Sequence, residues 1–272
     1  MIQQGECGRT LQTKPVMVSN RLYEKACNLK CNEDPCLSIV VPVFNLSHVV
    51  LYTYRAIESA LNKCSISYEV IFVDDGSTDD TYMKLLDNLR YDDRVRVYRL
   101  PFNKGKGFAL FHGFRRARGE IVVFFDGDLD INPRVIPVLY SIVRLNIGDI
   151  AILSKWHPQS ITRYTFIRLL FSKLFNKLSM LLLGLRLKDT QTGAKAFKSE
   201  VLKALAPQLI IKRYAFDIEL LVLASKRNYR IIEVPSPWPI KLNSSFKLDE
   251  IWRMLLDILS ITYRVRITKR IR

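Results

Sequence analysis

The chain has 272 residues, enough for one large domain or two small ones with a substantial core. Lys and Arg outnumber Asp and Glu by 42 to 26, a net charge of +16, which points to an anionic partner: nucleic acid, a lipid surface or phosphorylated substrates. No apolar run approaches the ~18–20 residues of a membrane-spanning helix, and Met1 to Glu6 lacks the basic-then-apolar form of a signal peptide, so an intracellular protein is expected.

Residues 1–36 are polar and without clear period, and read as an extension preceding the fold. The five cysteines, Cys7, Cys27, Cys31, Cys36 and Cys64, are odd in number and lack paired C-x2-C spacing for zinc. Reduced thiols are the expectation, with a disulfide near the N-terminus as the alternative. The fold proper opens at Leu37 to Asn45, an apolar strand, followed by a helical pattern from Ser47 to Lys63. Tyr68 to Val73 is a second strand, ending in the polar turn Asp74-Asp75-Gly76-Ser77-Thr78-Asp79-Asp80, which can cap the next helix. Arg94 to Leu100 alternates as a third strand. Asn103-Lys104-Gly105-Lys106-Gly107 then opens a helix reaching Arg116.

Ile121 to Phe125, short, β-branched and aromatic, is a buried fourth strand that ends in Asp126-Gly127-Asp128-Leu129-Asp130. A helix from Ile131 to Leu145, with Pro133 near its start, and a short strand from Asp149 to Leu153 follow. Strands alternating with helices predict an α/β fold with a mostly parallel central sheet, helices on both faces and amphipathic helices toward the C-terminus. In such a sheet the turns after successive strands share one edge. That inference gathers Asn45, Asp74, Asp75, Lys104, Lys106, Asp126, Asp128 and Asp130 around a single crevice. Hard carboxylate oxygens converging there suit Mg2+ or Mn2+, which keep places for substrate phosphates; a solvated acidic turn is the plain alternative.

Several motifs, in this order, resemble the family 2 glycosyltransferases of GT-A fold. They are Val41-Pro42-Val43-Phe44-Asn45, Val73-Asp74-Asp75-Gly76-Ser77-Thr78-Asp79, Asn103-Lys104-Gly105-Lys106-Gly107 and Asp126-Gly127-Asp128. Asp189-Thr190-Gln191-Thr192-Gly193-Ala194-Lys195-Ala196-Phe197, Phe216-Asp217-Ile218-Glu219-Leu220-Leu221 and Ile232-Glu233-Val234-Pro235 look like the dolichyl-phosphate glucosyltransferase and dolichyl-phosphate mannose synthase branch. The resemblance covers residues 37 to 260. It implies inverting transfer of a hexose from UDP-glucose or GDP-mannose to dolichyl or another polyprenyl phosphate at the cytoplasmic membrane face.

By the same resemblance, Asp126 and Asp128 hold the metal, with Asp130 available to complete its shell. The metal neutralises the charge that grows on the leaving diphosphate. Pro42 and Phe44 shape the base pocket, or simply pack their strand. Asn45 and the acids Asp74 and Asp75 face the nucleotide, although either acid could instead cap the following helix. Lys104 and Lys106 suit a diphosphate at a helix start, or form a solvated basic turn. Lys247 resembles a late Ser-Lys contact to diphosphate. Asp189 is expected to position the sugar or the acceptor-binding arginine.

From Ala151 to Lys188 there are no acids and seven Lys or Arg, and Ile167 to Leu182 carries Leu and Phe at helical spacing. That pattern suits a membrane interface or a core-facing helix with a basic back. The resemblance places Arg163 or Arg168, with Ser172 and Asn176, beside the lipid phosphate, where an arginine fork fits well. A phosphate acceptor is already anionic and needs no general base. A saccharide acceptor would need one, and Asp217 or Glu219 is the candidate. Residues 37–245 are therefore read as the catalytic domain. Residues 246–272, with Ile251, Met254, Leu255, Ile258, Leu259 and Tyr263 apolar and Arg264, Arg266, Lys269, Arg270 and Arg272 basic, are read as an amphipathic tail for an anionic membrane surface. Nucleic acid is not the expected partner, because a carboxylate cluster repels a phosphate backbone.

Overall fold

The computed structural model describes residues 20–29, 31, 34–160, 182–185, 187–210, 215–236, 238, 240 and 256–264. Its strands are β1 (Leu37–Val43), β2 (Tyr68–Asp74), β3 (Val95–Arg99), β4 (Ile121–Phe125), β5 (Ile150–Ser154), β6 (Ala194–Lys198) and β7 (Ile231–Pro235). Its helices are α1 (Asn20–Cys27), α2 (Val50–Leu61), α3 (Thr81–Leu89), α4 (Lys106–Phe114), α5 (Val135–Arg144), α6 (Ser199–Leu205) and α7 (Phe216–Lys226). A further helical segment spans 256–262.

The strands form one seven-stranded sheet in the order β3-β2-β1-β4-β6-β5-β7. β3, β2, β1 and β4 run parallel, β6 runs antiparallel to both β4 and β5, and β7 is parallel to β5. The central strands are covered on both faces, which is why β2 and β4 are apolar runs instead of alternating ones. Along β1, Leu37, Ile39, Val41 and Val43 enter one core with α2, α3 and α5, while Val40 enters the other with α4, α6 and α7. The sheet therefore separates two hydrophobic layers, as the alternating direction of strand side chains requires.

From β1 the chain adds β2 and β3 on one side, then crosses to β4 on the other. The order reverses between β1 and β4, and open α/β sheets bind ligands outside the carboxyl ends of the strands at such a point. Because β6 is antiparallel, Ala194 at its start pairs with Phe125 at the end of β4. This brings the turn before β6 to the same edge.

The N-terminal segment departs from the irregular extension expected of it. α1 packs on α5, and the Tyr23 hydroxyl donates to the Ala60 carbonyl at 3.1 Å. Helix α5 explains this: every residue from Val135 to Val143 is buried, and a helix apolar on all sides needs cover beyond the sheet. The cysteines also depart from the reduced state expected of them. Cys27 pairs with Cys64, which the folding back of α1 brings near from 37 residues away, and Cys31 pairs locally with Cys36. No helix among the described residues is long and apolar enough to cross a membrane.

Candidate active site at the carboxyl ends of β1 and β4

The switch point opens into a cleft of ≈ 270 Å³ lined by Pro42, Val43, Phe44, Leu46, Asp75, Asn103, Gly105, Lys106, Asp126, Gly127 and Asp128. Four turns, distant in sequence, meet there. Gly127 allows the turn after β4 to sit against β1: a Cβ on it would lie 2.8 Å from Val43 Cγ1 and 3.2 Å from the Pro42 carbonyl oxygen. The Thr53 hydroxyl donates to the Gly127 carbonyl at 2.7 Å, anchoring the turn to α2.

Asp75 accepts the backbone N–H groups of Lys104 and Gly105 at 2.7 and 2.8 Å. Its carboxylate thus fixes the loop that opens α4. That loop turns at Gly105, whose φ of 97° is accessible to glycine at little cost. One residue later, the Lys106 ammonium lies 2.6 Å from Asp126 Oδ1 and 2.8 Å from Oδ2. Burial pulls the Lys106 ammonium toward its neutral form, but the carboxylates of Asp126, Asp217 and Asp128 outweigh it and hold the group charged. Asp128 keeps solvent contact at the mouth. Reduced hydration in the cleft, and then the Asp126 charge, push its carboxyl up to about 6.

Asp126 and Asp128 are hard oxygen donors facing a common space, and among the described residues Asp128 makes no ion pair of its own. That donor set fits a divalent ion such as Mg2+ or Mn2+. It does not make a complete cage: among the described residues no group of three or more His, Cys, Asp or Glu is arranged to hold a metal. Asp130 is 9% exposed, its N–H donates to Asp128 Oδ1 at 3.0 Å, and it does not line the cleft. The backbone is left-handed at Leu129 (φ 57°), and the Asp130 charge adds to the like-charge pressure on Asp128.

Four other expected contacts lie away from the cleft. Asp74 is fully buried, its carboxylate taken by the Ser77 N–H and hydroxyl and by Arg99 Nε at 3.3 Å. Burial raises its pKa, against the Ser77 hydrogen bonds. Asn45 accepts the Thr78 N–H at 2.9 Å and is a turn residue with φ 53°. The Lys104 ammonium lies 5.1 and 4.8 Å from the ring centres of Phe102 and Phe108, so of the two lysines Lys106 alone reaches into the cleft. Asp189 is buried and accepts the N–H groups of Lys155 and Gln191 at 2.9 and 3.1 Å; it shapes its own turn. Arg163, Arg168, Ser172, Asn176 and Lys247 lie outside the described residues.

The candidate bases of a saccharide acceptor are each held in a buried ion pair. Asp217 pairs with Lys195 at 3.1 Å. Glu219 is fully buried, accepts the Ile210 N–H at 3.0 Å, and pairs with Arg264 at 2.6 Å. Neither lines the cleft. Arg264, expected to face lipid, instead turns inward beneath the 256–262 segment, whose Ile258 and Ile261 are buried. Sequence reasoning also passed over Lys195 and Glu233 as individual residues. Lys195 is 1% exposed inside β6, and Glu233 accepts the N–H groups of Lys188 and Asp189 at 2.9 and 3.1 Å. A Lys and a Glu flanked by apolar residues in short strands were the available signals.

The glycosyl transferase family 2 pattern matches residues 38–206. Glycosyltransferase AglD of Haloferax volcanii is 34% identical over 245 residues, 86% of this chain but 39% of that protein's length. Dolichyl-phosphate β-glucosyltransferases of Dictyostelium discoideum and Saccharomyces cerevisiae are 30% and 29% identical, over 84% and 76% of this chain and 74% and 68% of theirs. Glucosyl-3-phosphoglycerate synthase of Mycobacterium tuberculosis bound to UDP superposes with a TM-score of 0.64 at 23% identity, covering 92% of this chain and 84% of that one. The same synthase with Mn2+, UDP-glucose and phosphoglyceric acid gives 0.66 at 21%, covering 89% and 82%. These two share the fold, a GT-A sheet. The family pattern runs from β1 through α6 and so takes in every turn of the cleft: the chain belongs to glycosyl transferase family 2 and is a glycosyltransferase.

Proposed function

We propose that this protein transfers glucose from UDP-glucose to dolichyl or another polyprenyl phosphate, with inversion, as a peripheral protein at the cytoplasmic face of a membrane. The observation that carries the reading is the cleft itself: Asp75, Lys106, Asp126 and Asp128 face one space, in a chain 28–30% identical to three dolichyl-phosphate β-glucosyltransferases. Glucose is preferred to mannose because those relatives are glucosyltransferases. The basic stretches 151–188 and 266–272 suit an anionic membrane surface.

An oxygen of the acceptor phosphate attacks the anomeric carbon while the bond from that carbon to the β-phosphate oxygen of UDP breaks. One phosphodiester-linked sugar and UDP result. A phosphate monoester is largely ionised at neutral pH, its second pKa being about 6, so no side chain has to remove a proton. Asp75 holds the α4 loop in place, Pro42 and Phe44 wall the base side, and Lys106 keeps a full positive charge at the cleft floor for the departing diphosphate. Asp126 and Asp128 would hold a Mg2+ or Mn2+ ion, which when bound supplies Lewis-acid stabilisation of that leaving group. Asp217 and Glu219 are each held in a buried ion pair and neither lines the cleft, which supports this acceptor over a saccharide that needs a base.

The test is transfer of labelled glucose from UDP-glucose into dolichyl phosphate, followed by organic extraction, with GDP-mannose as the competing donor. Lipid-extractable label that requires Mn2+ or Mg2+ and is abolished by EDTA is expected. A labelled water-soluble saccharide with no lipid product would overturn the acceptor assignment, and undiminished transfer in EDTA the metal.

A further inference from the structure

The turn between Asp189 and β6 is tied at both ends and from behind. Glu233 of β7 accepts the N–H groups of Lys188 and Asp189, and Asp189 in turn accepts those of Lys155 and Gln191. At the far end the buried Lys195 ammonium donates to the Thr192 carbonyl and pairs with Asp217 of α7 at 3.1 Å. Gly193 is what this clamp presents to the cleft. Its carbonyl accepts the Asp126 N–H at 2.9 Å. A Cβ built on it would overlap the Asp126 carboxylate and come within 3.0 Å of the Asp126 Cβ. Nothing about the backbone conformation demands glycine at this position, as no positive φ occurs there; the constraint is steric and comes from one side chain.

We propose that Gly193 is a positioning residue for Asp126. The bare Cα lets the Asp126 carboxylate lie flat against the β6 turn, with both oxygens near Lys106 and the cleft. Any side chain at 193 pushes that carboxylate out of place without touching substrate itself. The proposal rests on Asp126 belonging to the donor-binding machinery, as the preceding reading has it. It does not depend on which acceptor is used.

The experiment is a double-mutant cycle on the full chain between Gly193→Ala and Asp126→Ala, read by Mn2+-dependent UDP binding and by thermal midpoint. Trimming Asp126 to alanine removes the carboxylate, the nearest group the new methyl meets, and leaves only the Cβ contact at 3.0 Å, so coupling between the two sites is diagnostic. The expected result has Gly193→Ala weakening Mn2+-dependent UDP binding at least fivefold and lowering the midpoint when Asp126 is present. In the Asp126→Ala background the same change moves binding less than twofold and at least half of the midpoint penalty is recovered. Where Asp126→Ala binds too weakly to titrate, or Gly193→Ala alone folds poorly, recovery of the midpoint in the double variant decides. A loss below fivefold, an equal loss in both backgrounds, or an unrecovered midpoint overturns the proposal. Wild-type protein that binds Mn2+ and UDP but makes no lipid-linked glucose would sink the acceptor assignment and leave this inference standing.

Discussion

Asp126 and Asp128 are two residues apart, yet the structure uses them differently. Asp126 is compensated by Lys106 at 2.6 Å, whereas Asp128 carries its charge against the loss of hydration and against Asp126, which push its carboxyl up to about 6. A charged group held under such strain is a functional candidate, since folding alone gives no reason for it. Two opposite outcomes are therefore expected of Asp128→Asn. Transfer should fall by about 10²-fold or more, the scale of a lost electrostatic contact at a reacting centre. The thermal midpoint in EDTA should hold or rise, because the substitution removes like-charge repulsion. Calorimetry beside the transfer assay checks both, and a clear drop in midpoint would show Asp128 to be structural.

At the scale of elements, buried ion pairs join parts of the chain that share no strand pairing. Lys195 of β6 reaches Asp217 of α7, and Glu219 of the same helix reaches Arg264, just beyond the 256–262 segment. Both acids stand in the first turn of α7, where the helix dipole already favours negative charge. Breaking such a pair strands the partner's charge, at a cost of about 3–5 kcal/mol. Glu219→Gln should accordingly lower the urea midpoint by releasing the late helical segment, while kcat of the folded enzyme stays within about twofold. Lost kcat with stability intact would restore the saccharide-acceptor mechanism, with Glu219 as its base. Resistance of kcat together with lost stability identifies the pair as a latch between α7 and the last described helix.

Across the whole molecule, the cleft lies at one edge of the sheet, and polar networks secure the packing of its layers elsewhere. Arg94 binds Asp92 through Nε at 3.0 Å and Nη2 at 2.9 Å, Glu58 of α2 at 2.7 Å, and the Tyr68 hydroxyl of β2 at 2.8 Å. These contacts pin α2 and β2 to the loop before β3. The Arg94 hydrogen bonds hold the Asp92 carboxyl down at about 2, from an ordinary 3.8. A depressed native value means that the unfolded chain takes up protons first as the pH falls. The contribution, on the order of 2 kcal/mol, is complete above the ordinary value and is lost as the pH drops through about 2. Urea unfolding from pH 7 to pH 2 should show this decline, and Asp92→Asn should be less stable at pH 7 with a flatter acid limb. An unchanged acid limb in that variant would remove Asp92 from the account.

The order of strands and helices from β1 to β5, the parallel sheet, and the meeting of the turns after β1, β2, β3 and β4 at one edge were all legible in the sequence. Each depends on hydrophobic period and turn chemistry within a short window of chain. The N-terminal helix was not legible, since its reason for existing is the all-round apolar surface of α5, more than a hundred residues later. Nor was the choice among neighbouring polar residues. Asp75, Lys106, Asp126 and Asp128 face the cleft, while Asp74, Lys104, Asp130 and Asp189 are drawn into the loops around it. That carboxylates and lysines gather at one edge of an α/β sheet follows from the local pattern alone, because backbone hydrogen bonding and burial of apolar strands leave those turns nowhere else to go. Which of them remain available for a substrate was decided by the tertiary structure, because a charged side chain takes the nearest donor or acceptor in space, and that partner belongs to another element.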